Sequence, residues 1–201
     1  MSVEQPQAAD AVAGYPRMIR INGNDSISIN VLSRTDKDAI LDFASALAED
    51  DLLFLRVDIT EPSVVENWIS NVESGTTVSL VAYHGEDLVG YATVDRNLAR
   101  WTRRVGEIRV NVAAAFRSKG LGRTLVAAIF DVARNLHPKK LVAHMTIDQI
   151  GAQAAFKRLG FMPEAVLADY VEDRHGHARD LVIMSYDVDG LTDQVDEPLN
   201  L

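Results

Sequence analysis

The stretch Phe116–Leu125, FRSKGLGRTL, places cations and two glycines just before a run of residues with helical periodicity. The residues before it, Glu107–Val112, read EIRVNV and predict a strand. The first N–H groups of a helix have no partner inside the helix and lie at its positive dipole end. Gly120 and Gly122 let the backbone approach a ligand because they have no Cβ. A strand, a glycine-rich turn and a helix in this order therefore predict an anion-binding site.

Two familiar nucleotide-binding loops do not fit this stretch. A Walker A loop ends in Gly-Lys followed by Ser or Thr, whereas Gly122 is followed by Arg-Thr. A Rossmann fingerprint has a third glycine or alanine where this chain has Leu125. A plain loop with a capping glycine is the alternative that involves no ligand. The residues retain the spacing Arg-x-x-Gly-x-Gly, which begins at Arg117.

Composition narrows the class of protein. A chain of 201 residues, 47% of them hydrophobic, can bury one core, so one domain is expected. The net charge of -9 argues against a partner made of nucleic acid or a membrane surface. The absence of cysteine excludes disulfides, zinc-thiolate sites and an acyl-cysteine intermediate. With no signal-peptide pattern and no long apolar run, we expect a cytoplasmic protein.

Periodicity predicts one mixed α/β domain over residues 17–188, between a flexible N-terminal arm at 1–16 and an acidic C-terminal tail at 189–201. A capping box formed by Thr35 and Asp38 is expected to start the first helix. The predicted elements, in order, are a hairpin over 17–33, helices from about 35 and about 63, a hairpin over 77–94, a strand over 107–112, a helix over 119–136, a strand over 140–147, a helix over 149–159 and a hairpin over 165–188. The long helix keeps one apolar stripe, consisting of Leu121, Leu125, Ile129, Val132 and Leu136.

The loop and a second motif resemble the GCN5-related N-acetyltransferase (GNAT) family. The family's pyrophosphate loop carries Gln or Arg, then Gly, then Gly or Ala, at the spacing of Arg117, Gly120 and Gly122. Asp148–Phe161, DQIGAQAAFKRLGF, is similar to the family's helix that ends in Leu-Gly-Phe. The resemblance covers about residues 26–187. It implies a GNAT-type mixed, mostly antiparallel twisted sheet with helices on both faces and a splayed pair of parallel central strands.

The resemblance also implies an activity, the acetyl-CoA-dependent transfer of an acetyl group to a primary amine by direct attack. Residues 15–29 and 52–60 further resemble, more loosely, the catalytic domains of bacterial protein-lysine acetyltransferases. A protein lysine and a small cationic amine both stay open as acceptors. A non-catalytic GNAT-like acyl-CoA sensor or partner-binding module is the alternative from another class. A homodimer through edge strands is also compatible with the sequence.

The resemblance places acetyl-CoA along the strand and over the loop. Backbone N–H groups of the loop are expected to hold the pyrophosphate, and backbone groups of Val110 and Val112 to pair with the pantetheine arm and polarise the thioester. Gln149 matches a position that often carries Asn in the family. The arginines between residues 96 and 104 could reach the terminal phosphate or form a solvated loop. The predicted cofactor-binding residues are Val110, Asn111, Val112, Arg117, Ser118, Lys119, Gly120, Leu121, Gly122, Arg123, Gln149 and Phe156.

Acyl transfer to an amine needs a base, because only the neutral amine attacks the thioester. Glu107 aligns with a strand glutamate that serves as the base in several family members, and a surface or salt-bridge role is its alternative. The family often places an acidic tyrosine where this chain has Phe156, which has no proton to donate. Water, Tyr170 or Tyr186 is then left to protonate the thiolate, and Tyr170 is our catalytic candidate.

Acidic residues concentrate in and around the first two helices, and an acidic entrance would attract a cationic amine. Ordinary solvated helix faces are the alternative. The triplet His175–His177 is explained by a turn, so no metal site is expected. The acidic residues are Asp36, Asp38, Asp42, Glu49, Asp50, Asp51, Asp58, Glu61 and Glu66.

Overall fold

The structure is a computed structural model and describes residues 8–22, 25–47, 49–52, 57–96, 101–173 and 175–188. The helices are α1 (Ala8–Ala11), α2 (Lys37–Ser45), α3 (Glu49–Leu52), α4 (Pro62–Glu73), α5 (Leu121–Asn135) and α6 (Ile150–Arg158). The strands are β1 (Arg17–Ile21), β2 (Asp25–Val31), β3 (Thr77–His84), β4 (Asp87–Arg96), β5 (Val105–Val112), β6 (Lys140–Thr146), β7 (Met162–Glu172) and β8 (Ala178–Asp187). Within these ranges, no helix is long and apolar enough to cross a membrane.

The strands form one sheet in the order β1-β2-β3-β4-β5-β6-β8-β7. Neighbours are antiparallel except β5 and β6, which run parallel. Their pairing ends at Glu107 opposite Val142. From there on β5 pairs only with β4, and β6 only with β8. This arrangement confirms the predicted mixed sheet with a splayed parallel pair.

Each face of the sheet carries its own apolar core, because side chains alternate along every strand. The α5 face packs against α5, whose predicted apolar stripe is buried, with Leu121, Leu125 and Ile129 fully so. Burying one such side chain contributes about 1.5–3 kcal/mol. The opposite face, the α2–α4 face, packs against α2 and α4. Helices on both faces thus confirm the predicted layering.

Aromatic residues organise the core of the α2–α4 face around Tyr91. Its ring meets the edges of Trp68 at 4.9 Å and Phe43 at 6.0 Å between centroids. Burial raises the pKa of Tyr91 to about 12, although the nearby charge of Arg109 acts in the opposite direction. Tyr91 is therefore a neutral hydrogen-bonding residue of the core at physiological pH.

Two segments near the N-terminus differ from the sequence-based expectation. The capping box is formed by Ser33 and Asp36, two residues before the expected pair, and a 3₁₀ turn then leads into α2. Asp36 Oδ2 accepts hydrogen bonds from the backbone N–H of Ser33 at 2.7 Å and from its hydroxyl at 2.9 Å. In the segment expected to be an arm, residues 8–16, Ala11 is only 6% exposed and packs in the core of the α5 face.

Candidate active site

The separation of β5 from β6 opens a gap lined by backbone groups. Ala113 donates its N–H to Val89 on β4 at 2.9 Å. Hydrogen bonding alternates along an antiparallel strand, so Ile108, Val110 and Val112 direct their N–H and C=O groups away from β4 and toward the gap. Among the described residues, β6 pairs with neither Val110 nor Val112. A ligand that enters the gap can add to the sheet there, as an extra strand would.

The loop after β5 is shaped for an anion. Ser118 and Gly120 have φ values of +58° and +92°, and backbone N–H groups around such left-handed residues converge on one side. Gly120 is the N-cap of α5, and no side chain forms a cap hydrogen bond there. A Cβ built on Gly120 meets nothing within 4 Å. The first N–H groups of α5 have no partner inside the helix and lie at the positive end of the helix dipole.

Both cations at the start of the loop interact with carboxylates from distant elements. Arg117 Nη2 lies 2.6 Å from Asp51 of α3, and Arg117 Nε donates a 3.2 Å hydrogen bond to the carbonyl of Val112. Lys119 Nζ lies 3.6 Å from Asp25 of β2. The side chains of Lys119 and Asp25 are 38% and 34% exposed, and exposed pairs contribute about 0–1 kcal/mol. An incoming phosphate can therefore compete for Lys119, whereas the partner of Arg117, Asp51, is only 14% exposed.

Gln149 lies just after the carboxyl end of β6, on one side of the gap. Its side-chain Oε1 accepts a 3.0 Å hydrogen bond from the backbone N–H of Thr146, the last residue of β6. The hydroxyl oxygen of Thr146 is buried and has no hydrogen-bond partner among the described residues. An unpartnered buried hydroxyl costs about 1–3 kcal/mol.

These features fit the cofactor that the sequence predicts. The gap offers the backbone groups of Val110, with which β6 does not pair, and, at its open end, the N–H groups of the loop with two cations. From Glu107 to Val112 the strand rises about 17 Å, because each residue adds about 3.3 Å. The polar edge of β5 suits an extended pantetheine arm. The anion site at the loop suits a pyrophosphate.

Glu107 lies where the strands begin to separate, on the α2–α4 face. Its side chain is 16% exposed, and its Oε1 is 3.7 Å from Nδ1 of His144 on β6. On the same face Arg109 forms an ion pair with Asp95, whose Oδ1 accepts a 2.6 Å hydrogen bond from Thr77. The carboxylate of Glu107 is thus largely buried at the inner end of the gap, a suitable place for a base.

The candidate acids occupy very different places. Phe156 is 4% exposed and packs edge-on against Phe161, with 5.0 Å between the ring centroids. Tyr186 belongs to the same aromatic group, with its ring 4.9 Å from that of Phe130. Tyr170 lies on β7, the edge strand that β8 separates from β6, and is 65% exposed. The structure therefore does not bring Tyr170 or Tyr186 into contact with Glu107.

Several acids of the expected entrance have structural partners. Asp36 accepts a 2.6 Å hydrogen bond from Tyr83, Glu66 lies 2.9 Å from Lys37, and Asp58 accepts a 3.0 Å hydrogen bond from the backbone of Thr60. The hydrogen bond and charge of Lys37 lower the pKa of Glu66. The exposed acids without such a partner in the described ranges are Asp38, Asp42 and Glu61.

The turn between β7 and β8 is organised by Asp173. Its Oδ1 accepts 2.9 Å hydrogen bonds from the backbone N–H groups of His175 and His177, and its Oδ2 lies 3.2 Å from Arg179. The hydrogen bond from the backbone of His177 is the largest cause that lowers the pKa of Asp173 to about 2. Within the described part of the chain, no group of three or more His, Asp or Glu could hold a metal ion.

The arginines before β5 lie at the opposite end of that strand from the anion loop. Arg104 precedes β5, and its carbonyl accepts hydrogen bonds from the backbone of Lys139 and Lys140. The loop begins after Val112, about 23 Å further along the strand. This separation favours the solvated-loop alternative for Arg103 and Arg104, whereas Arg100 lies outside the described residues.

The remaining predicted residues divide between the gap and the core. Val110 and Val112 border the gap, and Ser118, Gly122 and Arg123 lie in the loop or the first turn of α5. Leu121 is buried in the core, so only its backbone faces the loop. Asn111 pairs with β4, and its side chain bonds to Tyr91. His144 is a site residue that sequence reasoning missed, and Asp51 was expected only as an acid of the entrance and not as the partner of Arg117, because only the fold brings these residues to Glu107 and Arg117.

Comparison with protein families identifies the class to which this arrangement belongs. The profile of the acetyltransferase (GNAT) family matches residues 43–161, more than half of the chain. The matched span includes Glu107, the gap and the anion loop. The chain belongs to the GNAT acetyltransferase family, and its class is that of acetyl-CoA-dependent N-acetyltransferases. A search of curated protein sequences gives no significant match.

Solved structures show the same fold at low sequence identity. Ribosomal-protein-alanine N-acetyltransferase from Brucella melitensis is 23% identical with a TM-score of 0.69, over 79% of this chain and 98% of that chain. The protein yncA from Salmonella typhimurium, solved with its cofactor acetyl-CoA, is 21% identical with a TM-score of 0.69, over 89% and 100%. A spermidine N-acetyltransferase SpeG chimera from Vibrio cholerae and hSSAT is 19% identical with a TM-score of 0.67, over 81% and 96%.

Proposed function

We propose that this chain transfers the acetyl group of acetyl-CoA to a primary amine, a protein lysine or a small cationic amine, by direct attack. The observation that carries the proposal is the largely buried carboxylate of Glu107 at the inner end of the β5–β6 gap. Acetyl-CoA supplies an activated acyl group with a good leaving group. The protein supplies position, a base and hydrogen-bond donors to the thioester oxygen.

Each part of the site has a separate task in this proposal. The N–H groups at the start of α5, together with Arg117 and Lys119, hold the pyrophosphate. The backbone of Val110 and Val112 pairs with the pantetheine arm, and one N–H group polarises the thioester carbonyl. Glu107 removes a proton from the acceptor ammonium, and the neutral amine forms the C–N bond as the C–S bond breaks.

The departing thiolate takes its proton from water or from a tyrosine. Phe156 contributes only packing at this step, because it has no proton to donate. Tyr170 is the side-chain candidate because it carries a phenolic proton, although β8 separates its strand from β6. We expect Tyr170→Phe to slow turnover only modestly, because the thiolate of CoA leaves readily without an acid.

A cationic acceptor is favoured by charge. Asp38, Asp42 and Glu61 leave negative charge on the helices that cover the α2–α4 face, and the whole chain carries -9. An ammonium group is attracted to such a surface, and the attraction weakens as salt increases. A panel of lysine peptides, peptides with a free N-terminal alanine, and spermidine would separate the acceptor classes.

We also propose that two copies associate through β7, one of the two edge strands of the sheet. β7 has 11 residues, and its side chains include Met162, Val166 and Tyr170 with exposures of 68%, 56% and 65%. An exposed apolar edge strand is a template for pairing with another chain. Sedimentation of the wild type and of Val166→Lys would test this, and a monomeric wild type would contradict it.

Calorimetric titration with acetyl-CoA, CoA, ATP and NAD tests the binding half of the proposal. Selective binding of the two CoA species is expected. A preference for ATP or NAD, or no binding, would contradict the assignment of the loop. The readout is independent of the acceptor, so it can be made before any substrate is known.

Release of free thiol from acetyl-CoA with the acceptor panel tests the catalytic half. Glu107→Gln should lower kcat by about 10²–10⁴-fold, the usual contribution of a general base, and leave the affinity for acetyl-CoA nearly unchanged. Glu86→Gln, in the exposed turn between β3 and β4, is the matched control. An unchanged kcat and pH profile in Glu107→Gln would refute the base assignment. Binding without turnover by the wild type would favour the non-catalytic sensor.

A further inference from the structure

The histidine nearest to Glu107 has no role in the mechanism described so far. His144 lies two residues beyond Val142, the last residue of β6 that pairs with β5. Both side chains lie on the α2–α4 face at the point where the strands separate, with 3.7 Å between Glu107 Oε1 and His144 Nδ1. Hydrogen bonds of this type are about 2.7–3.2 Å long, so a small rotation of the imidazole brings the two groups into hydrogen-bond contact.

We propose that His144 receives the acceptor proton from Glu107 and delivers it to solvent, so that the two residues form a proton exit path. The inference rests on the proposed function, because Glu107 has to act as the base. His144 acts through Glu107 and does not touch the reacting atoms.

Proton balance requires such an exit. A primary ammonium loses two protons when it becomes a secondary amide, and the CoA thiolate takes up one of them by way of water. One proton is therefore released in every turnover. The N–H bond of the ammonium breaks as an O–H bond forms on Glu107, and that O–H bond breaks as an N–H bond forms on His144 Nδ1. The imidazolium then returns its proton to water.

The exposed fractions of the two side chains indicate that the proton moves from Glu107 to His144. The side chain of Glu107 is 16% exposed, whereas that of His144 is 35% exposed, so His144 is the more accessible of the two to water. Imidazole is the side chain whose ordinary pKa suits proton uptake and release near neutral pH. The chain therefore has a transfer group between a largely buried base and solvent.

The neighbouring charges on this face are engaged elsewhere. Asp95, opposite Glu107 on β4, forms an ion pair with Arg109. Lys140, two positions before Val142 on β6, lies 3.0 Å from Glu164 and 3.7 Å from Asp187 of β8. The pKa of Lys140 is raised, chiefly by its hydrogen bond with Glu164, so it stays protonated and does not accept a proton. On β8, the residue that faces His144 in register is the apolar Ile183.

The first test is a double-mutant cycle on thermal stability, which needs no acceptor. Wild type, Glu107→Gln, His144→Gln and the double variant are compared at about pH 5.5 and about pH 8.5, on either side of the ordinary pKa of imidazole. A protonated imidazole would attract the carboxylate, so at the lower pH the Tm changes should be non-additive. At the higher pH they should be additive. Additive changes at both pH values would overturn the proposed contact.

The second test is kinetic and includes a chemical rescue. His144→Ala should lower kcat by about 10-fold, a smaller loss than that of the base itself, without changing KM for acetyl-CoA. Added imidazole should restore part of the loss, and the restored rate should increase with pH as the free imidazole becomes neutral. His137→Ala, beyond the end of α5, is the matched control and should behave as wild type.

The outcomes separate this inference from the proposed function. If Glu107→Gln is impaired but His144→Ala keeps the wild-type kcat and pH profile, the exit path is wrong and the base assignment stands. If Glu107→Gln is itself unimpaired, the proposed function fails first. A His144→Ala loss that imidazole does not restore indicates a structural role and also overturns the exit path.

Discussion

The conformation of Gly120 affects both the stability of the loop and its ability to bind a cofactor. We therefore expect Gly120→Ala to change Tm, the Kd for acetyl-CoA, or both. The residue has φ +92° and ψ -9°, a left-handed conformation that costs an L-residue about 1–2 kcal/mol. Its Cβ would meet nothing within 4 Å, so no clash adds to this strain. For a chain of this size each kcal/mol lowers Tm by about 2–4 °C. The expected loss in Gly120→Ala is therefore about 2–8 °C.

Relaxation of the loop is the other way for the variant to relieve the strain. The N–H groups at the start of α5 would then turn away from the pyrophosphate, and the Kd for acetyl-CoA should increase about tenfold, a change of about 1.4 kcal/mol. Thermal unfolding and calorimetric titration measure the two effects. Gly151→Ala is the matched control, because its Cβ also meets nothing within 4 Å but its φ is ordinary. It should be as stable as wild type or more so. A Gly120→Ala variant with unchanged Tm and Kd would refute the reasoning.

Three further predictions concern other parts of the fold. Gly90→Ala should destabilise the protein by about 1–3 kcal/mol in urea, because its Cβ would lie 2.8 Å from the backbone oxygen of Asn111, and an unchanged midpoint would contradict that contact. Asp173→Asn should lower Tm above about pH 4, but the difference from wild type should shrink as pH falls through about 2, where wild-type Asp173 itself becomes protonated; a difference that stays constant would contradict the low pKa. Lys119→Met should weaken acetyl-CoA binding at low salt and reduce its dependence on salt, whereas equal salt slopes would place Lys119 away from the phosphates.

The main elements of the fold could be predicted from local patterns. The stripe from Leu121 to Leu136 specifies which side of α5 is buried, and Asn22 at the first turn and Gly176 at the last both adopt positive φ. The capping box was expected two residues too late, because Thr35 and Asp38 show the same residue types and spacing as the true pair. Local patterns therefore predict where a helix or strand lies. They predict its first residue less accurately when the same capping pattern occurs twice within a few residues.

The site could be predicted only where it is local. Gly120 and Gly122 indicate the anion loop because the motif lies within one turn of chain. The contacts of Arg117 with Asp51 and of Glu107 with His144 join residues far apart in sequence, and they depend on strand register and helix placement. Long-range pairing of this kind leaves no pattern in a single sequence.

The two separate cores allow the two faces of the sheet to change independently. Leu80 and Ala92 pack on the α5 face, whereas their neighbours Val81 and Tyr91 pack on the α2–α4 face. A substitution in α2 or α4 therefore alters the α2–α4 face without repacking the helix that carries the anion loop. Over evolutionary time, separate cores allow the α5 face to keep its binding site for the acetyl donor while the α2–α4 face, which would meet the acceptor, diverges.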